Sequence, residues 1–259
     1  MDDAAPNSVQ DGEPGLADWA LFLDFDGTLV DIAERPEAVE VDPALGSTLA
    51  RLRDRLGGAL AIVSGRPIAE LDGFLTPHRF DAAGLHGLEY RLGDRLFPCR
   101  IEDHPDLRIG IERLQQELAD APGVLIEDKG CSVAVHWRMA PDKAELAQRV
   151  VQDLAGELGS AYRSQFGKAV AEILPAQAGK GYAIERFLGE APYAGRRPIF
   201  AGDDLTDEHG FIAVNARGGA SIRIGEGETQ ARYRVRTPSA LRERLAVWAE
   251  KGAEIFAVE

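Results

Sequence analysis

Apolar and polar positions follow two different rhythms along this chain. Short apolar runs at residues 19–23, 59–63, 198–201 and 220–224, with a looser one at 81–85, have the length and bounding turn residues of strands buried on both faces. Helical spacing fills the stretches between them, at residues 43–56, 182–188, 206–215 and 238–250, and a further helix opens at Pro67. Strands alternating with helices predict a parallel α/β sheet.

The middle of the chain keeps another pattern. Residues 105–118 set Leu107, Ile111, Leu114 and Leu118 on one helical face, and residues 141–158 do the same with Ala147, Val150, Val151, Leu154 and Leu158. Each helix is followed by two β-patterned runs around a turn: 124–127 and 132–137, then 162–166 and 169–174 about Gly167 and Lys168. Helix, hairpin, helix, hairpin predicts a small antiparallel sheet with both helices on one face, its other face free to cover a site. The chain therefore divides into a Rossmann-like parallel-sheet core, residues 17–103 and 178–259, and an inserted α+β cap, residues 104–177. Residues 1–16, rich in Asp, Gly, Pro and Ala, read as a disordered acidic tail.

Composition narrows function by exclusion. A chain of 259 residues with 45% hydrophobic content can bury a large core and a smaller one. Its net charge of −14, from 29 basic and 43 acidic residues, disfavours nucleic acid and anionic membranes as partners. An anionic substrate would have to be held by local cations. No apolar run reaches about 18 residues, and the Met-Asp-Asp start carries no apolar signal region; the expected location is the cytoplasm. Cys99 and Cys131 lack metal-ligand spacing and read as free thiols of a reducing compartment. Trp19, Trp137 and Trp248 read as core, and His78, His104 and His209 as surface.

The strand at 19–23 runs directly into Asp24-Phe25-Asp26-Gly27-Thr28. Carboxylates are costly to bury unpaired, so two of them at a core strand end point to a site. One Asp can attack phosphorus and a second can move the leaving-group proton. Neither does so on a phosphate dianion without a cation, and like charges near 4 Å repel by about 4 kcal/mol at an effective dielectric of ~20. A hard metal such as Mg²⁺ answers that requirement.

Three further segments supply matching parts. Ser64-Gly65-Arg66-Pro67 follows a strand and opens a helix, offering a hydroxyl and backbone N–H groups to phosphate oxygens. Gly179-Lys180-Gly181 opens another helix without forming a Walker loop. Gly202-Asp203-Asp204-Leu205-Thr206-Asp207-Glu208 crowds four acids after the strand at 198–201. A helix N-terminus accounts for Asp207 and Glu208, but less readily for Asp203 and Asp204.

In this order the four segments resemble the haloacid dehalogenase-like (HAD) phosphatases. By that resemblance Asp24 is the nucleophile and Asp26 the general acid/base, while Ser64 and Lys180 hold the phosphoryl group. Asp24, the Asp26 carbonyl and Asp203 bind Mg²⁺, with Asp204 and Asp207 in support. Ser64-Gly65-Arg66, Leu85-His86-Gly87, the stretch from Lys129 to Arg138, Glu172-Ile173-Leu174-Pro175 and the segment from Gly202 to Glu208 are similar to the trehalose-6-phosphate phosphatases, over residues 21–235. Phe25 stands where that family often has Tyr, and Gly84-Leu85-His86-Gly87 lacks the acid often found before the His.

The cap offers its own candidates. Alternation sets Cys131, Val133, Val135 and Trp137 on one strand face and Ser132, Ala134, His136 and Arg138 on the other. Glu172 interrupts an apolar strand, and Glu127 and Lys129 lie two apart. The resemblance makes Glu127, Lys129 and Glu172 the residues that grip sugar hydroxyls, with His136 and Arg138 beside them, and Ser64, Gly65 and Arg66 facing substrate from the core. His86 is either structural or part of the site. The implied activity is hydrolysis of trehalose 6-phosphate, a small-molecule sugar phosphate, with a functional link to a trehalose-6-phosphate synthase. Rival readings are a phosphatase for sucrose phosphate or glycosylglycerol phosphate, a phosphomutase, and a catalytically silent sugar-phosphate sensor. A dinucleotide fingerprint is incomplete in Gly225-Glu226-Gly227-Glu228, which lacks a third Gly.

Overall fold

The apolar runs become the inner strands of a large twisted sheet. The computed structural model describes residues 15–33, 39–100, 102, 104–167 and 169–251. In chain order its first half comprises β1 Trp19–Leu23, α1 Pro43–Arg55, β2 Leu60–Val63, α2 Ile68–Leu75, β3 Asp81–Gly84, β4 Glu89–Leu92 and β5 Arg95–Phe97. Next come α3 Pro105–Glu117, β6 Leu125–Asp128, β7 Val133–His136, α4 Ala144–Leu158, β8 Tyr162–Gly167 and β9 Val170–Pro175. The chain ends with α5 Lys180–Leu188, β10 Arg197–Gly202, α6 Glu208–Ala216, β11 Ala220–Ile224, β12 Tyr233–Val235 and α7 Pro238–Lys251.

Eight strands pair in the order β12-β11-β10-β1-β2-β3-β4-β5. The first six run parallel, and β4 and β5 close one edge as an antiparallel hairpin. The period of two splits β1 between the sheet's faces. Trp19, Leu21 and Leu23 join α1, α2 and α7 in one hydrophobic cluster, while Ala20 and Phe22 join α5 and α6 in another. Helices on both faces make this a doubly wound α/β core.

The second sheet, order β6-β7-β9-β8, is wholly antiparallel. Val133, Val135 and Trp137 pack with Leu107, Ile111, Leu114, Val151, Leu154, Ala171 and Ile173, so α3 and α4 cover one face. The other face, with Ser132, Ala134 and Glu172, turns toward the core. This is the α+β cap that alternation predicts.

The structure departs from the expectations at particular places. The β4–β5 hairpin is absent from the apolar pattern because β5 is an exposed edge strand of three residues. The helices expected from residues 141 and 206 each open with a 3-10 turn, Pro141–Lys143 and Leu205–Asp207, before the α-helix proper. Leu16–Asp18 forms a 3-10 turn at the end of the expected tail; residues 1–14 of that tail, and Lys168 of the second hairpin turn, lie outside the described residues. The reading of two free thiols is corrected: Cys99 and Cys131 form a disulfide, with Cα atoms 6.0 Å apart. They are separated by 32 residues, and only the return of the chain through α3 and β6 brings the Cys99 segment against the start of β7. His104, at the N-terminus of α3, is also not a plain surface residue, since Nδ1 meets the Tyr162 hydroxyl at 3.0 Å.

Candidate active site

The neighbouring carboxyl ends of β1 and β10 decide where the acids meet. Asp24 follows β1, and its N–H donates to the Ala201 carbonyl of β10 at 2.9 Å. Asp203 follows the last residue of β10. Parallel pairing in register thus sets two carboxylates side by side at the sheet's carboxyl edge. Gly27, at φ 74°, turns the chain where a β-carbon would overlap the Asp203 carboxylate. Asp207 reaches the same point from the following turn, accepting the backbone N–H of Asp203 at 3.0 Å and of Asp204 at 2.9 Å.

Lys180 comes from the first turn of α5. Its ammonium bridges Asp24 Oδ1 at 2.7 Å and Asp207 Oδ1 at 2.6 Å. All three side chains are buried. Burial works against the Lys180 charge, but Asp24 and Asp207 outweigh it and raise its pKa. Burial likewise pushes the Asp24 carboxyl up; Lys180 pulls it back, and Asp207 and Asp203 push it up again. Asp203 is raised to about 6, first by burial and then by Asp207. Thr28 donates toward both Asp24 Oδ2 at 3.3 Å and Asp203 Oδ1 at 3.4 Å.

Carboxylate oxygens of Asp24, Asp203 and Asp207 all lie within 4.8 Å of one another. At that spacing and an effective dielectric of ~20, each pair of full charges repels by about 3–4 kcal/mol. One lysine does not neutralise three acids, and beyond burial the neighbouring carboxylates push Asp24 and Asp203 further up. An all-oxygen donor set short of positive charge fits a hard divalent cation. Asp204 is placed differently: it is exposed, and its carboxylate accepts the Leu205 N–H at 2.7 Å, capping the 3-10 turn outside this trio.

Ser64 follows β2 and is buried; its hydroxyl accepts the Arg66 N–H at 3.1 Å. Arg66 clamps Asp26 through two bonds, Nε to Oδ2 at 2.6 Å and NH2 to Oδ1 at 2.8 Å, while NH1 reaches Glu70 at 3.0 Å. Its guanidinium lies 5.0 Å from the centroid of the Phe74 ring. Asp26, Gly65, Arg66, His86, Glu89, Glu127 and Lys129 line a cavity of about 790 Å³ between core and cap. The His86 ring packs against Gly65, and its backbone N–H donates to the Ser64 carbonyl at 3.0 Å. His86 adopts a positive φ of 56°. Burial first, and then Lys180, lower its pKa. A second cavity, about 540 Å³, flanks Lys180 on the side of Arg163, Gln165 and His209 and also reaches His86.

The cap residues arrive as pairs. His136 Nε2 meets Glu127 Oε2 at 2.9 Å. Glu172 Oε1 accepts the Ser132 hydroxyl at 2.6 Å and lies 3.6 Å from the Lys129 ammonium. Glu127 and Lys129 line the same cavity as Asp26, Arg66 and His86, so this cap face looks onto the core site. Arg138 is not gathered with them: it stands exposed after β7 and pairs with none of them; of the five cap candidates only Glu127 and Lys129 line the cavity directly. The motif reading underrated Thr28 and Ser132. Thr28 sits four residues after Asp24 in the same turn. Ser132 shares the polar side of its strand with Ala134 and His136, and that alternation was the signal.

A family model described as trehalose-phosphatase matches residues 22–239. A protein named probable trehalose-phosphate phosphatase from Sinorhizobium fredii is 48% identical over 214 residues, spanning 81% of this chain and 79% of the relative. The trehalose-6-phosphate phosphatase of Escherichia coli is 41% identical over 224 residues, 85% of this chain and 82% of its own length. Among solved structures, a trehalose-6-phosphate phosphatase from Aspergillus fumigatus superposes with a TM-score of 0.73 at 25% identity, covering 90% of this chain and 93% of that one.

Proposed function

We infer the function from one premise: the chain belongs to the trehalose-phosphatase family. We propose that it is a Mg²⁺-dependent phosphatase that hydrolyses trehalose 6-phosphate to trehalose and inorganic phosphate. The observation that carries the chemistry is the buried Asp24–Lys180–Asp207 bridge with Asp203 beside it, at the carboxyl ends of β1 and β10. The sugar assignment rests on the relatives and on the polar cap face opposite.

Asp24 attacks phosphorus, forming an aspartyl phosphate as the bond from phosphorus to the sugar oxygen breaks. Asp26 gives its proton to that departing oxygen, then takes one from the water that attacks the acyl phosphate, which releases phosphate and restores Asp24. Arg66 must release Asp26 before a proton can move there. Lys180 and Ser64 hold the phosphoryl oxygens. Asp24, Asp203 and Asp207 would hold the Mg²⁺, along with the Asp26 carbonyl and with Asp204 in support, and the ion would supply charge neutralisation. Closure of the cap, whose limits we place at residues 104 and 177, excludes water and brings Glu127, Lys129 and Glu172 to the sugar, with His136 and Arg138 at its edge. We place the reaction in the cytoplasm, next to the synthase that would supply the substrate; no helix among the described residues is long and apolar enough to cross a membrane.

The test is phosphate release from trehalose 6-phosphate, sucrose 6-phosphate, glucose 6-phosphate and p-nitrophenyl phosphate, with Mg²⁺ and again with EDTA. EDTA-sensitive preference for the first is expected. Better turnover of another sugar phosphate would replace the substrate, and no release from any would leave a binding protein.

A further inference from the structure

We propose that Ser132 is a positioning residue for sugar recognition, holding one oxygen of Glu172 so that the other is presented to a hydroxyl of the bound sugar. This rests on the sugar-phosphatase reading above and deepens it. Glu172 lies mid-strand in β9, opposite Ala134 of β7 and Gln165 of β8. The neighbouring Ala171 and Ile173 point the other way, into the cap's hydrophobic cluster. Its carboxylate is mostly buried, with a side-chain exposure of 13%.

A carboxylate in that setting needs hydrogen bonds on both oxygens. Oε1 has two partners, the Ser132 hydroxyl at 2.6 Å and the Lys129 ammonium at 3.6 Å. Oε2 has no protein donor within hydrogen-bond distance among the described residues. The two oxygens are thus distinct: one is anchored within the cap, and the other is left for a ligand. Ser132 is itself buried at the start of the strand, so its hydroxyl has no solvent to turn to, and the short bond fixes the carboxylate's rotation. Lys129 alone would not do this. At 3.6 Å its ammonium is a point charge that attracts the carboxylate without setting the plane of its oxygens. Lys129, whose ammonium lies 3.6 Å from Glu172, lines the cavity shared with Asp26 and His86, so the carboxylate stands beside the space where cap and core face each other.

A sugar hydroxyl donating to a pre-aimed carboxylate loses little freedom on binding. With Ser132→Ala, the carboxylate rotates among several orientations and ground-state binding weakens, while the phosphoryl groups on the core are untouched. The expected result is a KM for trehalose 6-phosphate raised about tenfold, in line with a hydrogen bond to a charged group, with kcat within about threefold. The decisive measurement is a double-mutant cycle. In a Glu172→Ala background, Ser132→Ala should change KM by less than about twofold, because its partner is gone. A merely structural serine would cost the same in both backgrounds and would lower kcat and thermal stability together; either that additivity or an unchanged KM in the single variant overturns the proposal. If the wild type prefers another sugar phosphate, the substrate reading fails, and the same cycle run on that ester still decides the role of Ser132.

Discussion

Replacing Lys180 by alanine removes the ammonium that lies between Asp24 and Asp207. Each contact, at 2.7 and 2.6 Å, corresponds to about 6 kcal/mol of Coulomb attraction at an effective dielectric of ~20. Desolvation of three buried charges offsets most of that, and removing one partner of such a buried pair costs a net of about 3–5 kcal/mol. The variant keeps three carboxylates whose oxygens lie within 4.8 Å and loses the cation that pulls the Asp24 pKa down. Two consequences separate this account from simple loss of packing. First, metal-free Lys180→Ala should unfold at lower urea than the wild type, and Mg²⁺ should recover more stability in the variant, where the charge deficit is larger. Second, kcat/KM should fall by about 10²–10³-fold even at saturating Mg²⁺, because a donor to the transferring group is gone. Urea unfolding with EDTA and with Mg²⁺, alongside steady-state kinetics, reads both. A metal-free variant as stable as the wild type, with kcat/KM within threefold, would refute the charge-balance reasoning.

Asp203→Asn should show the sign of the Asp203 shift. The folded metal-free protein holds that proton up to about pH 6, whereas an ordinary carboxyl releases it near 3.8, so stability falls as pH rises through that window. The asparagine variant should match the wild type at pH 4 and exceed it at pH 7 by about 1 kcal/mol, a figure discounted for partial exposure; equal curves in EDTA would contradict the assignment. Gly27→Ala should cost about 1–2 kcal/mol from the left-handed backbone alone, and should weaken Mg²⁺ binding by at least about tenfold because the new methyl displaces Asp203; unchanged metal titration would sink that reasoning. Reducing the Cys99–Cys131 link, or Cys99→Ser, frees a loop with a sequence separation of 32, for which the chain-entropy bound is about 3–4 kcal/mol. Thiol titration in denaturant and melting with and without reductant read this, and two free thiols in oxidised protein would reject the pairing.

The site was legible in the sequence where chemistry clashes with burial. Asp24 follows a strand with no exposed residue, and an acid in that position already demands a partner before any geometry is known. The same holds for Glu172, a lone acid in an apolar strand. Alternation along residues 131–138 also sorted the cap sheet's two faces, because the period of two leaves no freedom once one face packs on helices. What stayed hidden depended on distance through space. Nothing near Asp26 in the chain announces Arg66, forty residues on. Helix-terminus chemistry assigned Asp207 rather than Asp204 to the cap, and the turn after β10 does the reverse, sending Asp207 inward and using Asp204 as the cap. The pairing of Cys99 with Cys131 depends on the path of the intervening helix. The β4–β5 hairpin escaped because an exposed edge strand has no apolar face to advertise.

The polar groups expected to meet substrate share one property. Asp26 is held by Arg66, Glu127 by His136 and Glu172 by Ser132 and Lys129. A sugar phosphate entering this site therefore exchanges partners with the protein as well as with water. Such exchange contributes modestly to affinity when the match is complete, because each new hydrogen bond replaces an old one. It penalises a mismatched ligand more heavily, since a group drawn from its partner and left without a new one carries the full cost of desolvation. The arrangement suits discrimination among sugar phosphates that share the same reactive group. The residues proposed for phosphoryl transfer, Asp24, Asp26, Ser64 and Lys180, all lie in the core and would serve every such ester alike, so the difference in rate between two sugars must come from how completely each satisfies the pairs it breaks.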